Sequence, residues 1–253
     1  MKDYEEIKIL FDQEVQKISF PDHPKLLYDP INYIMGLKAK RMRPILVLMA
    51  HQLFNKDLMN AIYPAIAIEI FHNFTLLHDD IMDNAPLRRG ELTVHEKWNN
   101  NIAILSGDTM LIHAYQLISR VDEVNLKQVL DVFSQAAKEV CEGQQNDMDF
   151  EGDNDVSLLD YMKMIEKKTA VLLAASLKIG GIIGGANLED QGHLYEFGKN
   201  IGVAFQLKDD LLDTFGVPKK FGKKVGGDII ANKKTFLYLK TLQPTVPPRT
   251  PQE

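Results

Sequence analysis

Cysteine, basic charge and long apolar segments are scarce in this sequence, and each scarcity excludes a class of protein. Cys141 is the single cysteine among 253 residues, so no internal disulfide can form and a reducing, cytoplasmic location is expected. The acidic stretch from Met1 to Glu6 has no apolar segment of the kind found in secretory signals. The formal net charge is −6, whereas nucleic-acid-binding proteins usually carry a basic excess. We therefore expect no nucleic-acid partner.

Long apolar runs are also scarce. The most apolar stretch covers residues 169–186, and Lys178 and several glycines interrupt it. A transmembrane helix needs about 20 consecutive apolar residues. We therefore expect no transmembrane segment, and we interpret this stretch as a buried central helix or a subunit interface.

The alternation of apolar and polar residues that marks β-strands is nearly absent, whereas helical periodicity dominates. No internal repeat and no hinge-like segment divides the chain, so we predict one all-α domain. Prolines and glycines separate the candidate helices, for example Pro21, Pro86 and Gly216. The predicted helices cover approximately residues 2–18, 25–37, 44–55, 57–84, 93–119, 124–149, 157–185, 188–215 and 232–242.

The predicted helix over residues 57–84 has two different faces when it is drawn at about 100° per residue. An apolar stripe would pack on neighbouring helices, and a polar face lies nearly opposite. The stripe consists of Ile66, Ile70, Phe74, Leu77 and Ile81. The polar face consists of His72, Thr75, Asp79 and Asp83. This pattern indicates a helix that lines an interior cavity.

Two aspartate clusters of the form DDxxD occupy residues 79–83 and 209–213. Carboxylates four residues apart share one helix face and repel each other, and a nearby helix C-terminus adds an unfavourable dipole. Mg²⁺ binds carboxylate oxygens together with water and phosphate. One cluster alone could equally be a solvated acidic surface. Two copies, each after an apolar run, favour a cage for metal ions bound to a diphosphate.

Cationic residues accompany these clusters at predicted turns. Arg88 and Arg89 follow the first cluster, and a basic group from Lys38 to Arg43 precedes Pro44. Arginine and lysine are the usual ligands of phosphate. Further lysines stand at positions 167–168, 208, 223–224 and 233–234, although a single lysine is more often a surface residue.

With these motifs the sequence resembles the trans-isoprenyl (polyprenyl) diphosphate synthase family, in particular its short-chain farnesyl and geranylgeranyl diphosphate synthases. The matching blocks follow the family order over residues 36–236, although Ala39 replaces a glycine that is frequent in the family. They are Lys40-Arg41-Met42-Arg43-Pro44, Asp79 to Asp83 with Arg88-Arg89-Gly90, Glu142-Gly143-Gln144, Lys168-Thr169, Gln206 to Asp213, residues 224–228 and Asn232-Lys233.

The resemblance implies a single-domain antiparallel helical bundle around a central cavity, the isoprenoid synthase fold. It implies a Mg²⁺-dependent prenyltransferase that joins isopentenyl diphosphate head to tail to an allylic diphosphate. It also implies a homodimer, for which the glycine-rich apolar stretch over residues 180–185 would need a cover. The synthase domain would cover residues 1–242 without the family's C-terminal helices, followed by a proline-rich tail over residues 243–253.

The resemblance also implies a role for each matching residue. The metal ions would be held by Asp79, Asp83 and Asp209, with support from Asp80, Asp210 and Asp213. The allylic diphosphate would be held by Arg88, Lys168, Lys224 and Lys233. Isopentenyl diphosphate would be held by Lys40, Arg43, His72 and Arg89. The developing allylic cation would lie beside Thr169 and Gln206.

Product length is predicted from the residues that precede the first cluster. Thr75 lies one helical turn before Asp79 and is small enough for a growing tail to pass. Phe71 lies two turns before Asp79, about 12 Å away, and could form the floor of the cavity. Phe74 is the aromatic residue at a position typical of short-chain synthases, although an ordinary core role is equally open for it. The pattern favours C15 to C20 products.

Two other interpretations stay open. A class I terpene cyclase also uses an aspartate-rich helix, but it usually carries only one DDxxD motif. A non-catalytic or truncated partner subunit would retain the fold and lose its motifs, whereas both motifs are intact here. The four prolines after residue 243 cannot extend a helix, so the family's further C-terminal helices are not expected here, and this second interpretation stays open.

Overall fold

The computed structural model describes residues 1–216, 226, 229 and 233–242, and most of these residues are helical. This confirms the predicted all-α class. The helices are α1 Tyr4–Val15, α2 Lys25–Gly36, α3 Met42–Gln52, α4 Ile62–Met82, α5 Val94–Lys97, α6 Asn100–Ile118, α7 Glu123–Gly152, α8 Leu158–Ile165, α9 Val171–Gly184, α10 Leu188–Phe215 and α11 Phe236–Leu242. A 3₁₀ turn covers Leu58–Ala61, a π-helical segment covers Glu166–Ala170, and strands β1 Leu87–Arg88 and β2 Glu91–Leu92 form one hairpin.

The predicted helix over residues 93–119 is divided in the structure. The backbone of Trp98 leaves the helical region, and α6 begins two residues later. The side chain of Asn99 accepts a hydrogen bond from the backbone N–H of Ile102 at 2.9 Å, which caps the first turn of α6. This local cap explains why one periodic segment forms two helices.

Helix α9 is the most deeply buried helix of the described bundle, because α3, α7 and α10 pack against it. A Cβ atom on Gly180 would lie 2.9 Å from the Cβ of Ala50 in α3, and one on Gly198 of α10 would lie 2.7 Å from the Cα of Ala174. These glycines therefore allow close helix packing. The prediction of a buried central helix is confirmed, whereas the expectation that this stretch needs a second subunit as its cover is wrong.

No helix in the described part of the chain combines the length and the apolar character that crossing a membrane requires. This finding agrees with the expectation drawn from the scarcity of long apolar runs.

Helix α4 packs against α3 and α6, and it is buried around most of its circumference. Ile66, Ile70 and Leu77 of the predicted apolar stripe are almost fully inaccessible. On the polar face, His72 and Thr75 are partly buried, and Asp83 at the end of the helix is exposed. The helix thus carries its polar face from the core to the surface, and it ends at the first aspartate cluster.

Candidate active site

The first aspartate cluster lies at the C-terminus of α4, as predicted. Asn84 adopts a left-handed conformation with φ of 48°. The backbone N–H groups of Asn84 and Ala85 donate to the carbonyl oxygens of Ile81 at 3.3 Å and Asp80 at 2.9 Å. These two bonds form a Schellman motif, which ends the helix and places Asp83 at the cap. The helix dipole therefore opposes the charge of the cluster, so stable carboxylates here need cations.

One of these cations comes from the hairpin that follows α4. Arg89 and Gly90 connect the two strands with φ of 57° and 86°, and a two-residue type I′ turn requires positive φ at both positions. The turn directs Arg88 back to the helix, where its Nη2 lies 2.5 Å and its Nε 3.0 Å from Oδ1 of Asp80. Asp80 is buried, so Arg88 compensates its charge at the helix end.

The surroundings of Asp79 and Asp80 raise the pKa of both carboxyl groups. The pKa of Asp79 is raised to about 6, chiefly by burial and also by the charge of Asp83, although Lys168 acts in the opposite direction. Burial also raises the pKa of Asp80, against the hydrogen bond and charge of Arg88. Burial disfavours the ionised form of such a carboxylate, and a further cation bound beside it would stabilise that form.

A second group of charges surrounds Asp147 on α7. Oδ2 of Asp147 accepts from Nζ of Lys168 at 2.7 Å and from Nζ of Lys233 at 2.9 Å. Lys233 also lies 2.6 Å from Glu151 Oε1 and 3.7 Å from Asp83 Oδ1. Burial alone would raise the pKa of Asp147, but Lys168 and Lys233 outweigh burial and lower it. Asp147 therefore stays ionised and holds two ammonium groups beside the first aspartate cluster.

The π-helical segment between α8 and α9 supplies Lys168 and Thr169, and it fits between two glycines of neighbouring helices. A Cβ atom on Gly143 of α7 would lie 2.7 Å from the Cα of Lys168. A Cβ atom on Gly202 of α10 would lie 2.6 Å from the Cβ of Ala170. Single π-helical turns often occur at functional sites. Here the two glycines allow α7 and α10 to approach the backbone that carries the functional side chains.

The second aspartate cluster lies in the last turns of α10, again as predicted. Asp210 is buried, and it accepts hydrogen bonds from the hydroxyl of Tyr161, from Nε2 of Gln206 at 3.0 Å and from the backbone N–H of Phe236 at 3.2 Å. Burial raises the pKa of Asp210, and these donors oppose the rise. The carboxylate of Asp210 is therefore fixed by three protein donors.

Contacts through the π-helical segment connect the two clusters. Lys168 contacts Asp147, which shares Lys233 with Asp83. The next residue, Thr169, donates from its Oγ1 to Oε1 of Gln206 at 3.1 Å, and Gln206 in turn donates to Asp210. Polar contacts, joined by the chain connection between Lys168 and Thr169, thus run from the end of α4 to the end of α10.

A third group of polar residues lies farther back on α4. Nη1 of Arg43 is 3.0 Å from Nε2 of His72. Burial, followed by the charge of Arg43 and other arginines, lowers the pKa of His72 well below its ordinary value, so the imidazole is neutral and accepts this bond. Burial lowers the pKa of Arg43 to about 10, and Arg89 contributes to the same shift. Arg43, His72 and Arg89 therefore form one electrostatic group.

The remaining predicted residues differ in how the structure places them. Lys40 is exposed two residues before α3 begins. Asp209 and Asp213 lie on α10, where Asp209 is half-buried and Asp213 is buried. Lys224 and the proline-rich tail over residues 243–253 lie outside the described residues. The ring of Phe71 is buried 5.6 Å from the ring of Phe74 and 5.3 Å from that of Phe133, between centroids. Oγ1 of Thr75 donates to the carbonyl oxygen of His72 at 2.8 Å.

Two functional candidates, Asp147 and Tyr161, were missed from the sequence. Asp147 lies one helical turn after Gly143 and one turn before Glu151, so its position on the face of the Glu142-Gly143-Gln144 block was a usable signal. Tyr161 has no such signal, since its contact with Asp210 spans 49 residues.

The donor set of the first cluster suits a hard divalent cation. In the described residues, no three carboxylate, imidazole or thiol groups could enclose a metal ion by themselves. Mg²⁺ commonly takes one or two carboxylates and completes its shell with water and substrate phosphate. Asp79 and Asp83 offer such a pair one turn apart, and the raised pKa of Asp79 shows a carboxylate that another cation would stabilise.

Comparisons with known proteins agree on one family. A family model described as polyprenyl synthetase matches residues 24–250. The geranylgeranyl diphosphate synthase of Methanosarcina mazei is 38% identical to this chain over 92% of the chain and 72% of its own length. A crystal structure of a geranylgeranyl pyrophosphate synthase superposes with a TM-score of 0.92 at 50% identity, covering 95% of this chain and 74% of that one.

A third match has ligands. The polyprenyl synthase of Caulobacter crescentus, solved in complex with calcium and isoprenyl diphosphate, superposes with a TM-score of 0.85 at 29% identity. The match covers 93% of this chain and 71% of that one.

Proposed function

The chain belongs to the polyprenyl synthetase family, and we propose that it condenses isopentenyl diphosphate head to tail with an allylic diphosphate to give a short-chain polyprenyl diphosphate. The observation that carries the proposal is the series of contacts between the two DDxxD clusters. From Asp83 it passes through Lys233 and Asp147 to Lys168, and from the adjacent Thr169 through Gln206 to Asp210. Nothing in the comparisons favours the terpene cyclase or the non-catalytic subunit that the sequence left open.

Prenyl diphosphate synthases generally use divalent metal ions, and we assign Mg²⁺ to this protein. Asp79, Asp83 and Asp209 would hold the ions. We give Asp80 and Asp210 a supporting role, because Arg88 and Tyr161 already occupy their oxygens, and we place Asp213 with them. When bound, the ions supply positive charge to the departing diphosphate.

The cationic side chains around the first aspartate cluster hold the allylic diphosphate. Breaking the allylic C–O bond leaves negative charge on the diphosphate and positive charge on carbon. Arg88, Lys168 and Lys233 supply fixed cations for the leaving group, and Lys224 is proposed to join them. Fixed charges of this kind stabilise a transition state without reorganisation during the reaction.

The cationic carbon is expected to lie beside Thr169 and Gln206, whose side-chain oxygens are 3.1 Å apart. Their oxygen dipoles would stabilise the cation, and exclusion of water from the site would protect it from hydrolysis. The double bond of isopentenyl diphosphate, held by Lys40, Arg43, His72 and Arg89, forms the new C–C bond. A proton then passes to the released diphosphate, and a new double bond completes the product.

The experiment that tests this function supplies the protein with isopentenyl diphosphate, one allylic diphosphate of 5, 10 or 15 carbons, and Mg²⁺. Diphosphate release that requires both substrates and stops on chelation of the metal is expected, with extracted alcohols longer than the allylic substrate. Release from the allylic substrate alone would point to a cyclase or hydrolase. The absence of release with any allylic substrate would favour the non-catalytic subunit.

We expect a C20 product, and we expect Phe71 to limit its length. Phe71→Ala should extend the product by at least one five-carbon unit, because it removes a ring two turns below Asp79. Thr75→Phe should shorten the product, because it fills the space one turn below Asp79. Chromatography of the dephosphorylated alcohols measures both effects. Phe11→Ala opens a comparable cavity in α1 and should leave product length unchanged. A wild-type product of 30 carbons or more would contradict the role of Phe71 as the residue that limits product length.

We also propose a homodimer, whose interface lies on α6 and not on residues 180–185. Leu105 and Ile112 on α6 are each 59% exposed and lie seven residues apart on one face, next to the exposed Ile104. The double variant Leu105→Glu, Ile112→Glu should be monomeric by light scattering at micromolar concentration, whereas wild type has twice the mass of one chain. Leu188→Glu, at another exposed leucine, should stay dimeric. A monomeric wild type would refute the proposal.

A further inference from the structure

The basic group before α3 contains one arginine that the proposed function does not use. Nη1 of Arg41 lies 2.5 Å from Oε1 of Glu69, and its Nη2 donates to the carbonyl oxygen of Met35 at 2.7 Å. Side-chain exposure is only 9% for Arg41 and 2% for Glu69. Asn73, one turn along α4, donates from Nδ2 to Oε1 of Glu69 at 2.9 Å. A buried ion pair with this many partners holds its members in one geometry.

The backbone at Arg41 is unusual in the same place. Arg41 has φ of 53° and ψ of 32°, the left-handed region, and it is the residue from which α3 begins. A residue other than glycine adopts this region only where its surroundings enforce it. The bonds to Glu69 in α4 and to Met35 at the end of α2 provide that enforcement.

This turn lies between two proposed ligands of isopentenyl diphosphate. Lys40 precedes Arg41, and Arg43 follows two residues later with its guanidinium against His72. The charge of Glu69 also acts on Arg43 and on Arg89, where it raises the pKa of each guanidinium against the effect of burial. One buried carboxylate is therefore shared electrostatically by three arginines, although its close contact is with Arg41.

We propose that Glu69 and Arg41 are positioning residues for the isopentenyl diphosphate subsite: their ion pair sets the left-handed turn from which Lys40 and Arg43 reach the diphosphate. The inference rests on the proposed function for the identity of the ligand. Neither residue needs to touch the substrate. A purely structural pair would stabilise the bundle without favouring one substrate over the other.

The test compares Arg41→Met, Glu69→Gln and the double variant. Each single variant should raise KM for isopentenyl diphosphate by about 10- to 100-fold, the size of effect expected when a bound group is displaced by about 1 Å. KM for the allylic diphosphate should change less than about threefold. Because the two residues act as one unit, the double variant should be no worse than the more damaged single variant.

Two further variants and one binding measurement keep the test independent of folding and of turnover. Arg41→Lys keeps the charge but loses the planar fork of the guanidinium, and it should show a smaller rise in the same KM than Arg41→Met. Calorimetric titration with isopentenyl diphosphate, without metal or allylic substrate, should show the same order of affinities. Arg120→Met removes an exposed guanidinium that lies over Tyr63, and it should match wild type in both measurements.

The outcomes separate the inference from the proposed function. Variants that melt at lower temperature but bind isopentenyl diphosphate as wild type does would overturn the positioning role. An equal rise in KM for both substrates, or losses that add in the double variant, would overturn it as well. A wild-type protein that neither turns over nor binds isopentenyl diphosphate would instead overturn the proposed function.

Discussion

Replacement of Asp79 by asparagine is expected to lower kcat by about 100- to 1,000-fold, the range seen when one electrostatic contact to a developing charge is removed. The change retains the size of the side chain but removes an anionic oxygen that would bind the metal. Asp79 lies near Lys168, Asp83 and Arg88, so its replacement also removes one negative charge from this group of charges. Steady-state rates over a range of Mg²⁺ concentrations measure the effect.

The same loss is expected for Asp209→Asn on α10, because the metal cage needs both clusters. Circular dichroism should show unchanged helix content in both variants. The control is Asp131→Asn, an exposed residue of α7 that pairs only with Lys127 at i−4 among the described contacts, and it should have wild-type rates. Near-normal turnover in either Asp79→Asn or Asp209→Asn would remove the metal-cage argument.

Replacement of Gly143 by alanine is expected to lower kcat about 100-fold with little change in helix content. The new Cβ would lie 2.7 Å from the Cα of Lys168, whereas an ordinary contact begins near 3.4 Å. The π-helical segment must then move by roughly 1 Å, and a shift of that size can reduce catalysis about 100-fold. Lys168 and Thr169 would move together, so binding of the allylic diphosphate should weaken as well.

The control for this change is Gly192→Ala, since no atom apart from its chain neighbours and the backbone of its own helix lies within 4 Å of the position that its Cβ would take. Alanine in the interior of α10 should stabilise the helix by up to about 1 kcal/mol and leave kcat unchanged. Thermal melting and steady-state kinetics of both variants separate the two effects. A Gly143→Ala protein with the wild-type kcat would show that the segment tolerates displacement.

Much of this architecture could be predicted from the sequence, because it depends on local signals. The apolar stripe of α4 predicted its buried face, and the two DDxxD clusters were correctly placed at helix ends. The Asn99 cap was less visible, since asparagine caps a helix only where the preceding backbone turns away. The hairpin after α4 was also missed, because strands of two residues leave no alternation to detect.

The rest of the site depends on tertiary contacts that no local pattern contains. The π-helical segment exists between helices that approach through Gly143 and Gly202, far from it in sequence. The pair Arg41 and Glu69 spans 28 residues, and a lone glutamate on an apolar helix gave no hint of its partner. Gly180 and Gly184 led to a wrong expectation, that a second subunit covers this stretch. Their small size instead serves contacts with α3 of the same chain.

The arrangement around Asp147 has a consequence for the entropy of binding. A lysine side chain has four rotatable bonds, and immobilising it costs up to about 2 kcal/mol. Lys168 and Lys233 are both held by one carboxylate oxygen, at 2.7 and 2.9 Å, before any diphosphate arrives. That cost is therefore met during folding, and a diphosphate encounters two ammonium groups whose separation is already fixed. Asp147 thus acts as a spacer that preorganises the lysines, and its effect would appear as affinity although it contributes no positive charge.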